Sequence, residues 1–221
     1  MIPVITIDGP SGAGKGTICR LLAEKLGYAL LDSGALYRLT ALACLNKSQD
    51  LGDQAAVASV ALALDVVFDG SGCGTRVLLC GHDVTKAIRS EGIGMAASKV
   101  AAYPSVRSAL LQRQRDFAQF PGLVADGRDM GTVVFPLAPI KIFLTASAEA
   151  RAGRRVQQLA EAGFVANYSD ILKDIEARDE KDSSRVLSPL VPAADALYLD
   201  STDLSIEEVL FVVLDRIQQV K

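Results

Sequence analysis

Gly9, Gly14 and Lys15 stand at the spacing G-x-x-x-x-G-K, and these are the residues of the chain whose types and spacing most plainly suit chemistry. Glycines admit left-handed backbone and let successive N–H groups approach an anion with no Cβ in the way. A lysine at the end of such a turn supplies a mobile point charge for the β- and γ-phosphates of a nucleotide. The apolar, β-branched run at residues 3–8 precedes the turn, and residues 17–26 have helical spacing after it. Strand, glycine loop and helix form the context a phosphate-binding P-loop requires, with the positive helix end facing the anion. Gly9, Pro10, Ser11, Gly12, Ala13, Gly14, Lys15, Gly16 and Thr17 are therefore the candidate nucleotide-phosphate residues. The place after the lysine, usually Ser or Thr, holds Gly16, and the hydroxyl comes one residue later at Thr17. A Mg²⁺ ion is expected to meet Thr17 directly or through water. An ordinary glycine turn is the competing reading. The dinucleotide pattern G-x-G-x-x-G, started at Gly12, fails because its last place holds Thr17.

Other reactive types collect at later strand ends and on two helix faces. Arg38 lies in the second turn of a helix opened by Asp32 or Ser33, where it is either a phosphate ligand or a surface arginine. Asp126 closes an apolar run, the position from which a carboxylate holds Mg²⁺ or its water. Arg128 is flanked by Asp126 and Asp129, so it is either a ligand-binding cation or merely neutralised by them. Arg151, Arg154 and Arg155 share a face at i, i+3, i+4 of a helix over residues 147–162, and Gly153 within that helix suggests a mobile lid. Arg178, Asp182 and Arg185 share a face of a helix over residues 169–185, which is either a binding face or a solvated charged side.

Five short apolar runs, at residues 4–7, 28–31, 123–125, 140–144 and 196–199, have the near-continuous hydrophobicity of buried parallel strands. Helical segments separate them, which predicts an α/β fold with a doubly wound five-stranded parallel sheet and the chemistry at the carboxyl ends of its strands. Residues 65–69 and 76–80 flank a glycine-rich turn and read as a β-hairpin, out of place in a parallel sheet and so part of an inserted lobe. Residues 205–208 (Ser-Ile-Glu-Glu) form a capping box at the start of the last helix.

At 221 residues the chain suits a single domain with insertions, half its residues being hydrophobic, which excludes general disorder. A net charge of −3 gives no basic footprint for nucleic acid. No apolar stretch is long enough to span a membrane, and no basic leader opens the chain. Cys19, Cys44, Cys73 and Cys80 have no C-x-x-C spacing and His82 is the only histidine, so buried thiols in a reducing cytoplasm are expected rather than disulfides or zinc. Residues 46–50 (Asn-Lys-Ser-Gln-Asp) miss the guanine-reading N-K-x-D spacing by one.

Taken together, residues 9–17, 32–38 (Asp-Ser-Gly-Ala-Leu-Tyr-Arg), 126–136 and 188–195 (Ser-Pro-Leu-Val-Pro-Ala-Ala-Asp) resemble the bacterial-type cytidylate kinases, and the resemblance covers nearly the whole chain. It implies a P-loop kinase fold with a core of residues 1–37 and 104–221, a monophosphate-binding insert of about 38–103, and a helical lid of about 147–165. It implies ATP as co-substrate with Mg²⁺ near Thr17 and Asp126, and CMP or dCMP held by Ser33, Tyr37, Arg38, Ser98, Arg107, Arg128, Asp129, Arg178, Asp182 and Arg185. Within the family, cytosine is read by the matches of Ser98, Arg107 and Asp129, and the sugar by those of Arg178 and Asp182. Lys15, Arg128, Arg154 and Arg185 are the expected catalytic cations, with Arg151 and Arg155 closing over ATP. A cytoplasmic monomer is expected. The alternatives are another small-molecule P-loop kinase, which would lack the hairpin insert, and a nucleotide-binding switch, which would want a guanine motif.

Overall fold

The computed structural model of the chain describes residues 2–72, 74–161 and 163–220. Cys73 and Ala162, expected in the hairpin turn and the lid helix, lie outside them. The described residues form two compact units, Met1–Leu31 with Phe117–Lys221, and Asp32–Asp116.

The first unit is built on a sheet whose strands are β1 (Val4–Asp8), β2 (Ala29–Asp32), β6 (Leu123–Gly127), β7 (Ile140–Thr145) and β8 (Leu197–Asp200), in the order β2-β6-β1-β7-β8. All five expected strands are present, and β1 pairs in parallel with β6 and β7, setting Ile7 beside Asp126 and Ile142. β1 is buried at every residue, as a central strand covered on both faces must be. The edge strand β8 departs from the expectation of continuous burial: Leu197 and Leu199 turn inward while Tyr198 and Asp200 are exposed. Edge position explains the alternation, because one face of that strand is left to solvent.

Helix α1 (Lys15–Leu26) follows β1, and its Ile18, Cys19, Leu22 and Ala23 enter a core with Ile5, Ile7, Val124, Ile142 and Leu144. Helix α8 (Ile206–Val220) adds Val209, Val213 and Ile217 to the same core at helical spacing. Truncating one such side chain, Leu22→Ala for example, costs about 2–5 kcal/mol. The expected capping box opens α8: the Ser205 N–H donates to Glu208 Oε2 at 2.8 Å and the Glu208 N–H to Ser205 Oγ at 3.2 Å. Helices α6 (Ala148–Glu161) and α7 (Tyr168–Ser183) complete this unit.

The second unit holds α2 (Ser33–Asn46), α3 (Gln54–Leu62), the antiparallel β3 (Val66–Gly72), β4 (Gly74–Leu79) and β5 (His82–Asp83), then α4 (Glu91–Val100) and α5 (Pro104–Arg115). The hairpin is as expected, with Val66 opposite Leu79. Asp32, rather than Ser33, caps α2, accepting from the Ala35 N–H at 3.1 Å. Burial of every thiol is not borne out: Cys19 and Cys44 are buried, but Cys80, at the turn out of β4 with φ 49°, is exposed.

Candidate active site

The glycine loop turns as tightly as its sequence demands. Gly9 has φ 149°, and a Cβ there would lie 1.9 Å from the carbonyl oxygen of Leu144 in the adjacent strand, so only glycine fits. Gly14 caps α1 in a left-handed conformation, φ 90°. Lys15, the first residue of α1, is 6 % exposed and donates through Nζ to the Pro10 carbonyl at 2.8 Å, closing the loop on itself. Its nearest acid is Asp126, 3.9 Å away. Burial and the charge of Arg128 pull the ammonium down from an ordinary 10.5 to about 8, against the upward pull of Asp126 and Asp8. A desolvated lysine, still mostly charged at neutral pH and held at the start of a helix, suits an arriving polyphosphate.

Thr17, half-buried in the first turn of α1, and Asp126, near the end of β6, offer a hydroxyl and a carboxylate. Hard oxygen donors in that small number fit Mg²⁺, which keeps most of its waters. A Cβ on Gly16 would stand 3.6 Å from Asp126 Oδ2, so the glycine leaves that carboxylate oxygen uncrowded.

Beyond Asp126 the chain leaves β6 through Arg128 and Asp129 into a single wide turn at Met130–Val134. The Asp129 carbonyl accepts from the N–H groups of Val133 at 2.9 Å and Val134 at 3.2 Å, while the Asp129 side chain is buried. Arg128 is not confined to its two flanking carboxylates: its Nε donates to Asp182 Oδ2 at 2.8 Å. Arg185 donates to the other oxygen, Oδ1, of the same carboxylate. The solvated-side reading of α7 therefore fails at Asp182, which is 1 % exposed. Burial pushes its carboxyl upward, but Arg128, Arg185 and Arg178 together hold it below the usual range.

Of the α6 arginines, Arg151 is buried, its Nε on the Ala146 carbonyl at 2.9 Å and one terminal nitrogen on the loop carbonyl of Ser11 at 3.1 Å. Both terminal nitrogens also engage the carboxylate of Asp179 on α7. Arg154 donates to the Ser201 carbonyl in the turn after β8. Ser201 in turn donates to the Thr145 carbonyl at 2.9 Å. Arg155 is half-buried. The helix runs unbroken through Gly153, which is exposed with open space around it.

In the second unit, Ser33 and Tyr37 are buried on α2, and Arg38 beside them donates to the Ile88 carbonyl at 2.8 Å. The guanidinium lies against Gly94 of α4, where a Cβ would come within 3.4 Å of it. Arg107 sits over the Tyr37 ring at 5.6 Å and donates to the Ala101 carbonyl at 3.2 Å. Ser98 is half-buried on α4.

The family model for cytidylate kinase matches residues 5–219. The chain belongs to the cytidylate kinase family. The cytidylate kinase of Saccharophagus degradans is 64 % identical over 210 residues, covering 95 % of this chain and 94 % of that protein. That of Aeromonas hydrophila is 58 % identical over 219 residues, 99 % and 95 % of the two chains. Among solved structures, an uncharacterised protein from Eubacterium ventriosum shares the fold at 8 % identity, with a TM-score of 0.53 over 98 % of each chain. As a cytidylate-kinase family member the chain is a phosphotransferase, with the P-loop α/β fold expected of it. No helix among the described residues is long and apolar enough to cross a membrane.

Three members of the first unit's polar network were not singled out from sequence. Asp179 and Ser201 carry no local signal beyond polarity. Asp8 does: an acid ending an otherwise apolar strand directly before a phosphate loop is a sequence-level oddity. It is buried and accepts on both oxygens, from the N–H groups of Met130 and Gly131, each at 2.8 Å.

Proposed function

We propose that the chain transfers the γ-phosphoryl group of ATP to CMP or dCMP, giving ADP and CDP or dCDP. The reading is carried by the family match over residues 5–219, within which every glycine and lysine of the phosphate loop is in place. A phosphate monoester acceptor is already largely ionised at neutral pH, so the transfer needs no general base. Positioning and charge neutralisation supply the rate.

In this reading Gly9, Gly12, Gly14, Gly16 and Thr17 present backbone amides to the ATP phosphates, and Lys15 exchanges the Pro10 carbonyl for phosphate oxygen. Arg154 exchanges the neutral Ser201 carbonyl for an anionic oxygen, a stronger charge-assisted bond. Arg151 acts on the loop through the Ser11 carbonyl, and Arg155 joins the ATP side. Ser33, Tyr37, Arg38, Ser98, Arg107, Arg128, Asp129, Arg178, Asp182 and Arg185 bind the acceptor, with Arg38, Arg128 and Arg185 on its phosphate and Asp129 with Arg107 on cytosine. Thr17 and Asp126 would hold Mg²⁺, which when bound neutralises charge on the β- and γ-oxygens. We assign residues 1–37 and 104–221 to the core, 38–103 to the acceptor-binding insert and 147–165 to a lid whose closure excludes water. The enzyme acts as a monomer in the cytoplasm.

ADP release measured with CMP, dCMP, UMP and shikimate as acceptors tests the reading. CMP and dCMP should support turnover well above UMP, and shikimate none. ADP release that ignores CMP would overturn it.

A further inference from the structure

We infer that Asp8 is a positioning residue for phosphoryl transfer: its two carboxylate oxygens fix the backbone of Met130 and Gly131, and so hold Arg128 and Asp129 in register with the start of the phosphate loop. The inference deepens the function proposed above and rests on it.

Asp8 Oδ1 accepts from the Met130 N–H and Oδ2 from the Gly131 N–H, both at 2.8 Å, across 122 and 123 residues of chain. Two adjacent amides pointing one way want two acceptors. A carboxylate supplies both, whereas an asparagine would aim an NH₂ donor at one of them. Gly131 is itself closely packed against β1 and β7. A Cβ on Gly131 would lie 2.9 Å from Thr6 Oγ1, 3.2 Å from Lys141 Cδ and 3.4 Å from Asp8 Oδ2. The Asp129 carbonyl is taken by Val133 and Val134, and the Arg128 side chain by Asp182. Thr6 and Asp8 both belong to β1, and Asp8 is the one that adjoins the phosphate loop. Gly9 follows it without slack, pinned against the Leu144 carbonyl. A shift of the Arg128–Asp129 backbone relative to the loop therefore has to break the Asp8 bonds.

A carboxylate is also an unfavourable choice for stability alone. Burial pushes Asp8 up to about 6, helped by the negative charge of Asp129, although the two amides and Lys15 pull it down. A strand end selected only for folding is better served by a neutral acceptor.

The test compares Asp8→Asn and Gly131→Ala with the wild-type chain. It reads the melting temperature, KM and kcat for CMP at saturating ATP, and the dissociation constant of ATP by equilibrium binding. Both variants should lower kcat/KM for CMP by about tenfold or more while moving ATP affinity by less than about twofold. Unchanged CMP kinetics overturns the inference, and so does an equal loss of ATP affinity, which would make Asp8 a support of the loop alone. If Asp8→Asn does not fold, Gly131→Ala decides, and failure of both to fold makes the contact a need of the fold and overturns the inference. A wild-type chain that leaves CMP unphosphorylated overturns the functional reading and this inference together. Wild-type turnover with no CMP-specific defect in the variants overturns this inference alone.

Discussion

Arg128 and Asp182, 54 residues apart in the chain, meet at 2.8 Å with the carboxylate almost wholly buried, and Arg185 holds the second carboxylate oxygen. The two cations proposed to bind the acceptor are thus aligned by an anion of the protein itself. Asp182→Ala leaves two partly buried guanidinium groups with that carboxylate gone. It should cost about 2–3 kcal/mol in urea unfolding, less than a fully buried pair because Arg128 retains some solvent. The same variant should lower kcat/KM for CMP, and a chain that loses stability but keeps its kinetics would assign Asp182 to the fold alone.

The pH dependence of that pair has a defined direction. The folded-state value of Asp182 lies below its ordinary 3.8, so its contribution is present above that value and is lost as pH falls through the lower, folded value. The stability gap between wild type and Asp182→Asn should therefore narrow below about pH 4 in acid-unfolding curves.

Lys15→Met removes the charge proposed to stabilise the transferring group. It should lower kcat by at least ~10²-fold, the scale of one lost preorganised donor. Because burial already disfavours the ammonium, melting at pH 7 should not suffer. Near-normal turnover would refute the role given to the loop.

Asp129→Ala tests base reading. Cytosine offers an amine donor where uracil offers an oxygen acceptor, so a carboxylate there favours the first and repels the second. The CMP-to-UMP ratio of kcat/KM should shrink by about tenfold, or ~1.4 kcal/mol. Equal losses for both substrates would place base recognition elsewhere.

Gly9→Ala meets the Leu144 carbonyl at 1.9 Å in a positive-φ conformation. Backbone must move to admit it, at a cost of at least about 3 kcal/mol, with ATP binding lost. Calorimetric melting with and without ATP reads both effects.

What the sequence made legible was local. Short, near-continuous apolar runs located the five strands, the spacing of Gly9, Gly14 and Lys15 located the loop, and Ser205 with Glu208 located the start of α8. Helix α4 was not foreseen, because Gly92 and Gly94 dilute its helical signal; Gly94 lies against the Arg38 guanidinium, a contact no local pattern announces. Asp182 looked like one member of a charged helix side. Its burial depends on Arg128, which no spacing rule connects to it. Asp8 was passed over for the same reason, its partners lying more than a hundred residues downstream. Side chains whose roles are set by distant partners are the ones that single-sequence reasoning leaves out.

The strand order carries a consequence for synthesis. β1 has β6 and β7 as its neighbours, paired at Leu123 and Ile140 and beyond, so the strand that launches the phosphate loop has no sheet to join until those residues exist. At about 5–20 residues per second the ribosome leaves that stretch unsupported for several seconds or more. Meanwhile Asp32–Asp116, contiguous in the chain, has all of its own strands and helices to hand. Nascent chains halted before Leu123 should thus carry a protease-resistant middle and a phosphate loop still unable to retain a nucleotide.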